Sequence, residues 1–146
     1  MKDCYVIKGV QNIGKSTTIG ILKEELLNIT VNQDDSYYSI RNWNHPGCVP
    51  DFRLVVDIKI NNERKKIGVV SHGDILQDSI DAINDFVNIE NCDLIICATR
   101  SVNRAGSVLN YINDNYHVLK EYELLQKNEN EQKKIVQDIL VCLGLK

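Results

Sequence analysis

Gly9, Gly14, Lys15 and Ser16 stand in the run GVQNIGKST, residues 9 to 17, as a glycine, four intervening residues and then Gly-Lys-Ser. Glycine accepts backbone torsions that a side chain resists, so a loop with two of them can curl and aim several N–H groups at one anion. Lys15 adds a mobile positive charge, and Ser16 adds a hydroxyl suited to a magnesium ion. A helix beginning near Lys15 would bring the partial positive charge of its N-terminus to the same point. These groups converge on a triphosphate. The expected cradle is Gly9, Val10, Gln11, Asn12, Ile13, Gly14, Lys15, Ser16 and Thr17.

Such a loop works only if a strand delivers it and a helix receives it. Tyr5, Val6 and Ile7 read as a buried strand, and KSTTIGILKEELL reads as a helix with Ile19, Leu22 and Leu26 on one face. In that setting the segment resembles the Walker A motif of P-loop nucleoside triphosphatases and kinases, G-x-x-x-x-G-K-[ST]. The motif covers eight residues, and no second motif of equal strength accompanies it. The resemblance implies ATP and Mg2+ as ligands, with Lys15 on the phosphates and Ser16 on the metal.

Further along, residues 29 to 32 read as a short strand and residues 33 to 36 as a polar turn. Residues 37 to 50, with two prolines and no clean periodicity, read as an irregular loop. FRLVVDIKI and KKIGVVS, separated by NNER, read as an antiparallel hairpin. DILQDSIDAINDFVN carries Leu76, Ile80, Ile83 and Val87 at helical spacing, and LIICA is apolar enough for a central parallel strand. A short helix over 107 to 113, a strand HVLKEYELL and a C-terminal helix follow. The expected fold is α/β: a three-layer α/β/α P-loop NTPase fold, its sheet mostly parallel with one antiparallel edge hairpin strand, in a single domain over residues 1 to 146.

Ligands of open α/β sheets sit at the carboxyl ends of the strands, and this rule selects further candidates. Asp34 and Asp35 follow the second expected strand, Ser71, His72 and Asp74 follow IGVV, and Thr99, Arg100 and Arg104 follow LIICA. The strand before Ser71 and the strand before Thr99 compete for the place beside the first strand. A Walker B strand ends in an acid that holds magnesium, but Ser71 occupies that position and Asp74 comes three residues later. Asp74 is therefore the candidate metal ligand with Ser16, and it also suits a helix N-cap. In kinases resembling this chain, an acid after the second strand orients the acceptor hydroxyl, which makes Asp34 and Asp35 catalytic candidates beside Lys15. Arg100 and Arg104 are candidates for neutralising a transferred phosphate.

The chain of 146 residues is a quarter charged, 43% hydrophobic and carries a net charge of −3, the profile of a globular protein without a charge signature for nucleic acid. No apolar run reaches membrane-spanning length and the N-terminus enters a strand at once, so a cytoplasmic protein is expected. Five cysteines without paired ligand spacing suggest neither a disulfide framework nor a zinc site. The hairpin resembles the antiparallel strand pair of GTPases, but D-x-x-G is missing at that strand end and N-K-x-D is absent, so guanine selection is not expected. The expected activity is Mg-ATP-dependent phosphoryl transfer to a small-molecule acceptor. The alternatives are an ATPase or nucleotide-dependent switch, and a nucleotide-binding module without turnover.

Overall fold

The computed structural model describes residues 2 to 10, 13 to 43, 51 to 71, 76 to 100 and 107 to 146. In chain order the elements are β1 (Asp3–Gly9), α1 (Lys15–Val31), β2 (Tyr37–Trp43), β3 (Asp51–Ile60), β4 (Glu63–Val70), α2 (Leu76–Asn88), β5 (Leu94–Thr99), α3 (Val108–Asn115), β6 (His117–Leu124) and α4 (Glu129–Leu143). The six strands form one sheet in the order β2-β3-β4-β5-β1-β6.

Strand periodicity of two divides the apolar residues between the faces. On one face Tyr5, Ile7, Leu54, Val56, Val69 and Ile96 pack with Ile19, Leu22 and Leu26 of α1 and Ile135, Val136, Ile139 and Leu140 of α4. On the other, Cys4, Val6, Val70, Ile95 and Cys97 pack with Ala82, Ile83 and Phe86 of α2 and Leu109 and Ile112 of α3. Cys4, Cys92 and Cys97 are buried free thiols, and burial pushes the Cys92 thiol up to about 12.

The mostly parallel P-loop sheet expected from the sequence is not found; the sheet is mixed. β4 with β5, β5 with β1 and β1 with β6 are parallel, whereas β2 with β3 and β3 with β4 are antiparallel. β3 is an interior strand rather than a hairpin edge, because Tyr37 to Trp43 pair with Asp57 to Asp51 along their whole length. That stretch looked irregular because it is an edge strand: Tyr37 and Tyr38 are exposed, and Ile40 alone among its described side chains packs on the core. The expected strand at residues 29 to 32 is instead the last turn of α1 and its cap. There the Thr30 hydroxyl donates to the Leu26 carbonyl at 2.7 Å, so a β-branched residue is satisfied inside the helix.

The β3–β4 hairpin closes with two residues, Asn61 and Asn62, both at positive φ (53° and 68°). This is the primed-turn geometry that matches strand twist and that asparagine tolerates. α3 begins at Val108 with the Ser107 side chain accepting from the Asn110 N–H, and α4 is capped likewise by Asn128 from the Glu131 N–H.

Candidate phosphate-binding site

The registers put the carboxyl ends of β1, β4, β5 and β6 at one end of the sheet. Lys8 pairs with Thr99, Gly9 with Leu124 and Val70 with Cys97. β5 is therefore the strand beside β1, and β4, which leads to Ser71, is one strand further away. The competition left open by the sequence is resolved in favour of Thr99.

β1 ends at Gly9 and α1 starts at Lys15. Between them, Ile13 N–H donates to the Val10 carbonyl at 3.4 Å, and Gly14 takes φ 109° as the α1 N-cap. Gly14 has no side chain, so the N-cap residue offers the first N–H groups of this helix no capping oxygen. Gly14 is favoured by its torsion, and both glycines are favoured by their contacts. A Cβ on Gly9 would sit 2.5 Å from the Ile13 Cγ2, and one on Gly14 would collide with the Gln132 amide nitrogen.

Lys15 is only 6% exposed, and its Nζ donates to the carbonyls of Gly9 (2.9 Å) and Val10 (3.1 Å). The ammonium is thus turned back over the loop, not out to solvent. Ser16 is half-buried in the first turn of α1, and Thr17 and Val10 are exposed. Thr18, two residues past the motif, donates its hydroxyl to the Gly14 carbonyl at 2.8 Å and locks the turn. Gln11 and Asn12 lie outside the described residues.

Thr99 is fully buried, and its Oγ1 has no hydrogen-bond partner among the described residues. A buried hydroxyl without a partner costs about 1 to 3 kcal/mol, and this one lies in the strand next to the loop. Arg100 follows it and is exposed. Arg104, His72 and Asp74 lie outside the described residues.

Asp34 and Asp35 are not brought to this site. They follow α1, which runs 17 residues away from the loop, roughly 25 Å at helical rise. They sit at the opposite end of the sheet, where the Arg64 Nη2 donates to the Asp35 carbonyl at 2.6 Å. The sequence argument placed them after a strand; the strand is a helix, and that reverses the end at which they emerge.

Two residues at the loop end were not singled out from the sequence. Asp51, the first residue of β3, accepts from the Ser71 hydroxyl at 3.3 Å, which brings a carboxylate to the strand end where β4 itself supplies serine. An acid opening an antiparallel strand carries no sequence signal of this kind. Gln132, 4% exposed, lies one turn before Ile135 and Val136 on the buried face of α4. A glutamine on an apolar helical face was a legible signal.

Among the described residues no cluster of three or more His, Cys, Asp or Glu side chains could hold a metal ion. A magnesium carried by a nucleotide needs no such cage, since phosphate oxygens and waters fill most of its coordination, and the half-buried Ser16 hydroxyl fits the single protein ligand. No described helix is long and apolar enough to cross a membrane. No protein-family model, curated protein or solved structure matches the chain.

Proposed function

We propose that this chain binds a nucleoside triphosphate, ATP with Mg2+, through the loop from Gly9 to Thr17. One observation carries the reading: the Lys15 ammonium is held over the loop by the Gly9 and Val10 carbonyls, at the N-terminus of a 17-residue helix whose N-cap is a glycine. A phosphate in the loop would receive the helix N–H groups and that ammonium together, replacing weak carbonyl acceptors by an anionic one. Ser16 would hold the magnesium, which neutralises charge on the bound phosphates.

The proposed output is phosphoryl transfer, with Lys15 stabilising charge on the phosphates and Thr99 offering its hydroxyl beside them. Asp34 and Asp35 have no part in it, being at the far end of the sheet. Asp51, held by Ser71, brings a carboxylate to this end of the sheet, three strands from β1.

Purified protein incubated with Mg2+ and γ-labelled ATP, with and without a mixture of small metabolites, tests the reading. Label moving to a metabolite supports a kinase, and phosphate release without an acceptor supports an ATPase. Saturable binding with neither supports a module without turnover, and absence of binding overturns the proposal.

A further inference from the structure

The phosphate loop does not stand alone at its end of the sheet. Gly9 of β1 pairs with Leu124 of β6 at the usual strand spacing of about 4.8 Å, and the chain leaves these two neighbouring strand ends as Val10 and Leu125. Both residues are aliphatic and exposed, Val10 at 61% and Leu125 at 76%, at a strand end where the neighbouring apolar residues Ile7 and Leu124 are buried. The turn that carries Leu125 is tied to the loop. A side chain on Gly14 would meet the Gln132 amide nitrogen and, at 3.9 Å, the Lys127 Cγ, so both flanks of the β6–α4 turn close on the start of α1.

We propose that Val10 and Leu125 form a shelf for the flat face of the nucleobase of the bound nucleoside triphosphate. This inference rests on the phosphate-site reading above and adds to it the place of the base. The chemistry is that of a planar heteroaromatic ring, which gains by covering aliphatic surface that water otherwise wets. A triphosphate seated in the loop leaves its ribose and base to extend over whichever element borders the loop. On the β6 side that element is this turn, which begins after Leu124 beside Gly9 and brings Lys127 and Gln132 to Gly14.

The test compares Mg-ATP with magnesium tripolyphosphate, which has the phosphates and lacks the base, by titration calorimetry on the parent protein, Leu125→Ser and Leu125→Phe. The exposed position of Leu125 makes both variants compatible with the fold. The parent is expected to bind ATP at least about tenfold more tightly than tripolyphosphate. Leu125→Ser is expected to weaken ATP by roughly fivefold while leaving tripolyphosphate within about twofold, and Leu125→Phe to hold ATP at least as well as the parent. Equal binding of ATP and tripolyphosphate by the parent overturns the shelf while leaving the phosphate site standing, and so does an unchanged ATP affinity in Leu125→Ser. If neither ligand binds the parent, the phosphate reading fails and the shelf falls with it.

Discussion

Lys15 sets its Nζ 2.9 Å from the carbonyl oxygen of Gly9, so the residue that opens α1 reaches back to the residue that ends β1. A compact ammonium on a flexible stem fits this fold-back, whereas a planar guanidinium is larger and fixed in its donor geometry. At 6% exposure there is little room for the exchange. Lys15→Arg is therefore expected to bind Mg-ATP at least about tenfold more weakly despite keeping the charge, measured by calorimetry or filter binding.

Gly14 couples the loop to α4 through the Gln132 amide. Gly14→Ala introduces a Cβ both at φ 109° and against that amide, and a loss of about 1 to 3 kcal/mol in denaturant unfolding is expected. The Gln132→Ala background is expected to recover the part due to the collision and leave the torsional part. Equal losses in both backgrounds would show that the amide yields freely.

Gly68 of β4 is packed for a different reason. A Cβ there would lie 2.6 Å from the Phe86 Cγ of α2, so the aromatic ring occupies the space a side chain would need. Overpacking of this kind costs about 1 to 3 kcal/mol, which Gly68→Ala is expected to lose in thermal or urea unfolding. Phe86→Leu, destabilising alone, is expected to reduce the penalty of Gly68→Ala.

Asp57, 6% exposed, joins three strands: the Arg64 Nη1 donates to its Oδ1 at 2.6 Å, and Tyr37 hydrogen-bonds to it. Burial pushes its carboxyl up, but the hydrogen bonds from Tyr37 and Arg64 together with the Arg64 charge outweigh this and hold it below the usual carboxylate range. A carboxyl lowered on folding stabilises the native state above its unfolded pKa, and that contribution disappears as pH falls through the folded value. Asp57→Asn is expected to be less stable than the parent at neutral pH, with the difference shrinking below about pH 4, followed by urea midpoints across pH.

Sequence patterns reached the fold unevenly, and the reasons are physical. The β3–β4 hairpin was legible because β-branched runs flank a pair of asparagines that can take positive φ. α4 and α2 were legible from helical spacing. β2 was missed because its order comes from pairing with β3, not from a pattern of its own, and this one strand turned an expected edge into an interior. The end of α1 was missed because Ile29, Thr30 and Val31 favour strands locally, while Thr30 is buried and its hydroxyl is satisfied by Leu26. The site inherited that error: the strand, loop and helix around Gly9 to Lys15 were readable from spacing, whereas the place of Asp34 and Asp35 depended on the direction in which the chain leaves α1. Asp51 reaches the loop end only because β3 runs against β4.

The proposed phosphate site is tested most directly by calorimetric titration of Mg-ATP into the parent protein and Lys15→Ala, with circular dichroism to show that both are folded. Saturable one-to-one binding by the parent, weakened at least about thirtyfold in Lys15→Ala, is the expected result. Equal affinity of the two proteins, or no binding by the folded parent, would contradict it.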